Sequence, residues 1–163
     1  MAKEFEFFFD GVFSNWHPSL FTIDGIEYNC CEQYMMAKKA LMFHDLDAYH
    51  RIMTVSDPAT QKDLGRKISG FNAEQWGRVC RNIVYDANLA KFSQNRDMGA
   101  VLIDTGDKEL VEASPSDTIW GIGLSKDNPL ALDKSAWKGT NWMGICLQEV
   151  RDGITGTIRW KRQ

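Results

Sequence analysis

No run of the 163 residues stays apolar for the roughly 18 positions that a membrane-crossing helix needs, so a helical span is excluded. The N-terminal MAKEFEFFFDG carries acidic residues too early and too often for a signal peptide, which makes a cytoplasmic protein the expectation. Metal-ligand spacings are missing as well. Of four cysteines, Cys30 and Cys31 are adjacent, Cys80 and Cys146 stand alone, and no Cys-x-x-Cys or His-x-x-x-His pair occurs. They read as reduced thiols. His17, His44 and His50 show no spacing that would make a catalytic pair. A net charge of -3 gives no broad positive field for nucleic acid, and only a local patch could supply one. The basic end, Arg159 to Arg162, reads as a solvated tail beginning near residue 153. There is no internal repeat and no linker. With 44% hydrophobic and 25% charged residues, the chain is expected to form a single domain over residues 1–163.

The elements that are present alternate in type. EFEFFFD sets Phe5, Phe7 and Phe9 at strand spacing, and FTIDGIEYN places Asp24-Gly25 between two short β-favouring runs, the signature of a type I′ hairpin. Asn29 is expected to cap the helix that follows. A second helix is predicted over Leu46–Val55, a third from Pro58 to near Ile68–Gly70, and a long one from the capping box Asn72-Ala-Glu-Gln75. In that long helix Trp76, Val79, Cys80, Ile83, Ala87 and Ala90 recur at helical spacing, so Trp76 is core by default. A short helix from Arg96 and a strand at ELVEAS come next, then a turn-rich loop over 114–129 and a last helix from Asn141 to about Asp152. The fold class is therefore α+β: one helix-rich domain with a small, mainly antiparallel sheet. The loop is long for a connector and holds Asp117, Trp120, Gly121 and Gly123, which marks it for function.

One helix poses a problem of its own. In NCCEQYMMAKKALMF, residues 29–43, the positions Glu32, Met35, Met36, Lys39 and Phe43 share a stripe. At 100° per residue, Glu32 and Lys39 lie about 20° apart around the axis and about 10 Å apart along it. Helical side chains lean toward the N-terminus, so the lysine head tilts back toward the glutamate, and the two could converge on a small group. Against this stand two structural readings: long charged side chains snorkel over apolar surface, and Glu32, three residues after Asn29, suits a capping box.

Four segments in order bear on the choice: FFFDGVFSNWHPSLFTIDGIEYNCCEQYMMAKK, LGRKI, KFSQNRDMGAVLIDTGDKELVEASPSDTIWGIG and GTNWMGICLQEVRD. Together they resemble the NADAR family, the YbiA-like N-glycosidases, over about Phe7 to Arg151. The resemblance implies hydrolysis of the bond between a ribose C1 and a base nitrogen, with no metal or other cofactor. It implies a small-molecule partner, either a phosphorylated ribosylamino-pyrimidine intermediate of riboflavin synthesis or ADP-ribose on a guanine base, the latter extending to ADP-ribosylated nucleic acid. A module that binds a ribosylated nucleotide without turning it over is the non-enzymatic alternative. Carried over by position, the catalytic residues are Glu32, Lys39 and Asp117, and the substrate-binding residues are Asn15, Arg66, Trp76, Trp120 and Gly121. Many relatives have glutamine four residues after the glutamate; this chain has Met36. The chemistry gives the charged stripe a purpose, because the departing base and the ribose cation each need a charged or proton-bearing partner. Whether Glu32 or Asp117 is the acid stays open, as does whether Lys39 is a static contact or an amine that forms an imine. Nothing in the sequence sets the oligomeric state.

Overall fold

The computed structural model describes residues 3–161. Their contacts divide the chain into two units, one formed by the residues up to Ser14 together with those from Arg96 onward, the other by Asn15–Asn95.

In the first unit, strand β1 (Phe5–Phe8) pairs in parallel with β4 (Glu109–Glu112), with Phe5 opposite Glu109 and Phe8 opposite Glu112. With one antiparallel pair elsewhere in the chain, this parallel pair makes up the small sheet component of the helix-rich α+β fold. A parallel pair needs a long crossover, and here the whole intervening chain supplies it. Strand β1 is also not a simple half-buried strand: Phe5 and Phe7 pack against Val111, Ile122, Leu124 and Ala131, Phe8 packs its ring edge on Phe13, and Phe9 is exposed. Helix α5 spans Arg96–Asp104. Helix α6 runs Trp142–Lys161, through residue 153 where a tail was expected. Met143, Cys146, Leu147 and Val150 form its buried face as their spacing predicts, and α6 packs against β4. Arg151 joins them inside by donating to the Thr105 hydroxyl and the Lys108 carbonyl.

In the second unit, β2 (Phe21–Ile23) and β3 (Ile26–Tyr28) form the predicted antiparallel hairpin. Asp24 and Gly25 both have positive φ, 51° and 79°, as a type I′ turn requires. Helix α1 (Cys31–Met42) is central: α2 (Leu46–Thr54), α3 (Pro58–Arg66) and α4 (Ala73–Gln94) all pack on it. Phe21, Tyr28 and Tyr34 make an aromatic cluster between the hairpin and α1. Asn72 caps α4 by accepting from the Gln75 amide, as its sequence indicates.

The start of α1 is built differently from the expectation. Its N-cap is Cys30, whose sulfur accepts from the Gln33 amide, while Gln33 Oε1 reaches back to the Asn29 amide at 2.8 Å. Asn29 instead ties the helix to its neighbours: its side chain donates to the Val55 carbonyl and accepts from Gln61. The reciprocal capping role thus belongs to Gln33. Glu32, one residue earlier, does not perform it.

Candidate active site

Within the second unit, α1 carries Glu32 at its N-terminal end and Lys39 two turns on, and both are buried, at 7% and 9% exposure. The backbone amide of Glu32 donates to the Asn15 carbonyl at 3.0 Å, which fixes where this end of the helix sits. The first turn of a helix favours an anion through its unpaired amides and dipole, so this position can hold a buried carboxylate.

Lys39 is held on several sides. Its ammonium donates to the Gly65 carbonyl at 2.8 Å and stands 4.4 Å from the centre of the Phe71 ring and 5.8 Å from that of Trp76. A charge-assisted hydrogen bond and two ring faces replace part of the lost hydration. The replacement is incomplete: burial pushes the Lys39 pKa below its ordinary 10.5, Glu32 opposes that shift, and Arg66 adds to it. Glu32 and Lys39 are therefore electrostatically coupled, as the shared stripe suggested.

Gly65 makes this approach possible. A Cβ there would overlap the Met36 sulfur and lie 3.0 Å from Met36 Cγ. Only glycine lets the end of α3 come close enough to α1 for its carbonyl to meet Lys39. Met36, in the position where a glutamine was expected, is a buried packing residue against that glycine. Arg66, the next residue, is solvent-exposed and pairs loosely with Asp63 at 3.8 Å, leaving a cation at the edge of the site.

Five of the sequence-predicted residues thus fall in this unit: Glu32, Lys39, Asn15, Arg66 and Trp76. Trp76 is buried. Phe71 was not singled out by the sequence, although it is 44% exposed and is the ring nearest the ammonium. A signal existed. Phe71 precedes the Asn72 cap and Trp76 is four residues past it, the N′ and N4 positions of a hydrophobic staple, which places both rings at one helix entrance.

The other three predicted residues lie in the first unit, in the loop after β4. Asp117 Oδ1 accepts from the Ile119 amide at 2.9 Å and the Trp120 amide at 2.8 Å, and its carbonyl accepts from Gly123. Its visible task is to shape the loop. Trp120, half-buried, meets Trp142 edge to face at 5.8 Å. Gly121 is buried where a Cβ would come within 2.9 Å of the Glu112 carbonyl and 3.1 Å of the Asp117 carbonyl. Gly121 is needed for close backbone approach, and it brings no side-chain chemistry.

Residues 7–155 match the NADAR domain. The chain belongs to the NADAR family. It is 38% identical to protein irg-1 of Caenorhabditis elegans over 99% of this chain and 82% of that one. It is 42% identical to N-glycosidase R617 of Acanthamoeba polyphaga mimivirus, over 86% of each chain. Among solved structures, the NMR structure of Escherichia coli YbiA superposes with a TM-score of 0.78 at 28% identity, covering 95% of this chain and 87% of YbiA. The helix-rich α+β fold of this NADAR chain is thus shared with YbiA.

Proposed function

We propose that this NADAR protein hydrolyses the bond between ribose C1 and a base nitrogen in a phosphorylated ribosylamino-pyrimidine of the riboflavin-intermediate type. The chain is a hydrolase of N-glycosyl bonds, the activity for which its 42% identical mimiviral relative is named. The observation that carries the reading is the coupled, buried Glu32 and Lys39 on one helix face, with the lysine ammonium between two aromatic rings. Burying two opposite charges costs several kcal/mol per ion before their attraction is counted, so a structure that keeps both has a use for them.

In this reading the C1–N bond breaks with its electron pair leaving on the base, which takes up a proton. Glu32 stabilises the cation left on the ribose. The Lys39 amine, neutral more often than a solvated lysine because its pKa is lowered, then forms a bond from Nζ to C1 and gives up its proton. The ring opens with a proton passing to its oxygen, leaving an imine that water hydrolyses to the free sugar and the regenerated amine. Arg66 meets the substrate phosphate at the exposed edge, and Asn15, Phe71 and Trp76 flank the ribose. Trp120, in the loop of the first unit, is an aromatic of a type that can stack on a base.

The test is a mass-spectrometric screen of the purified protein against ribosylamino-pyrimidine phosphates, ADP-ribosyl guanosine and NAD. Release of the pyrimidine with ribose 5-phosphate supports the proposal. Release of guanine or guanosine alone moves the substrate to ADP-ribosylated guanine, and binding without release of any base makes the protein a recognition module.

A further inference from the structure

Helix α4 contributes a residue that the sequence did not single out. Asn88 is fully buried, and its side-chain nitrogen makes two hydrogen bonds, to the Val84 carbonyl at 2.9 Å and to Asn15 Oδ1 at 3.0 Å. Its own Oδ1 is buried with no hydrogen-bond partner among the described residues. A fully buried amide acceptor left unsatisfied is uncommon in folded proteins and calls for a reason.

The reason follows from which groups can donate. The Val84 carbonyl can only accept, so the atom of Asn88 that faces it has to be the nitrogen. That nitrogen's second hydrogen points at Asn15, so the atom Asn15 presents to Asn88 has to be its oxygen. With Oδ1 committed, the Asn15 NH2 lies on the other limb of the amide, and it makes no hydrogen bond among the described residues. The carbonyl of the same residue receives the Glu32 amide at 3.0 Å, so the Asn15 backbone abuts the start of α1. An asparagine is symmetric enough to turn over; here the neighbouring backbone forbids it.

We propose that Asn88 is a positioning residue: it locks the Asn15 amide in the orientation that offers the NH2 to acceptor oxygens of the substrate sugar beside Glu32. The buried, unsatisfied oxygen of Asn88 is the consequence of that lock. This inference rests on the N-glycosidase reading for the identity of the sugar, but the orientation of the two amides does not.

Three variants separate the routes. Asn88→Ser keeps a donor to the i−4 carbonyl of Val84 through its hydroxyl and drops the bond to Asn15. Asn15→Asp keeps an acceptor for Asn88 and loses both donors. The third combines them. Thermal unfolding confirms that each is folded at the assay temperature. The expected result is a roughly tenfold or greater loss of kcat/KM in Asn88→Ser, at least as large a loss in Asn15→Asp, and a double variant no worse than Asn15→Asp alone, because residues acting in series are not additive. Wild-type kinetics in Asn88→Ser, or additive losses in the double variant, would overturn the positioning role. The orientation is read without turnover from hydrogen exchange of the side-chain NH2 groups: slow at Asn88, fast at Asn15. Slow exchange at Asn15 in the free protein would overturn the lock. Absence of base release by the wild type would instead overturn the N-glycosidase reading and with it the sugar-binding role of Asn15, while the exchange pattern still decides the orientation.

Discussion

The two regions that carry the candidate residues are built on opposite principles. Around α1 the chain places charged side chains inside: Glu32 and Lys39 are buried on one face, and Gly65 serves by moving a carbonyl to the lysine. In the loop after β4 the side chains are secondary and the backbone is crowded. Gly121, Gly123 and Gly139 all sit where a Cβ would press on neighbouring atoms, and Asp117 spends one oxygen on two loop amides. The first region holds reactive groups out of water, where electrostatic effects are strongest. The second fixes the shape of a loop that carries a half-buried indole. A charge in the first and a methyl group in the second are therefore the changes that should matter.

The largest expected effect is on the charge. In the proposed mechanism Glu32→Gln removes the carboxylate that acts on positive charge developing only in the transition state, so turnover should fall at least about 100-fold, about 2.7 kcal/mol, with ligand affinity nearly unchanged. Wild-type turnover would make Glu32 a packing residue, and calorimetric titration alongside single-turnover kinetics separates the two. Gly139→Ala tests the other region: its Cβ would lie 2.7 Å from Thr118 Cα and 2.8 Å from the Thr118 carbonyl oxygen. A loss of about 2 kcal/mol in unfolding free energy is expected from such overpacking, visible as a drop of about 4–8 °C in Tm. An unchanged Tm would show that the loop yields. Trp120→Ala should weaken base-containing ligands by about 1–2 kcal/mol and leave ribose 5-phosphate alone, since only a base can stack. Equal losses for both ligands would give the indole a purely structural task.

The smallest effect is on pH dependence. In the proposed mechanism Lys39 needs its neutral form to attack, so the rate should rise with pH through a lysine pKa that lies below 10.5. Burial is the main cause of that lowering, and Arg66 contributes in the same direction. Arg66→Gln should therefore move the rising limb to higher pH, while leaving the first-unit loop untouched. A limb that stays put, or moves to lower pH, would remove Arg66 from the electrostatics of the site.

The sequence was most informative where local chemistry decides structure. Asp24-Gly25 can hardly be anything but a tight hairpin turn, and Asn72 with Gln75 marks the start of α4. The Glu32–Lys39 stripe was visible because helical periodicity alone puts two charges on an apolar face. What stayed hidden depends on partners distant in the chain. The pairing of β1 with β4 is parallel, which no short-range pattern encodes. The cap of α1 shifted from Asn29 to Cys30 because Asn29 is drawn to Val55 and Gln61 across the unit. Asn88 became legible only once Asn15 was placed beside it. The need for glycine at positions 65, 121 and 139 comes from the close passage of other atoms, which only the fold shows.

The central claim is that the buried lysine of α1 bonds to the sugar. Borohydride added during turnover reduces an imine to a stable amine, and digestion then locates it. The account predicts a ribose-derived mass on Lys39, absent from the neighbouring Lys38 and lost in Lys39→Ala. No adduct under conditions of active turnover, together with Lys39→Arg retaining most of the activity, would contradict it and leave Lys39 as a static charge held between Gly65 and two aromatic rings.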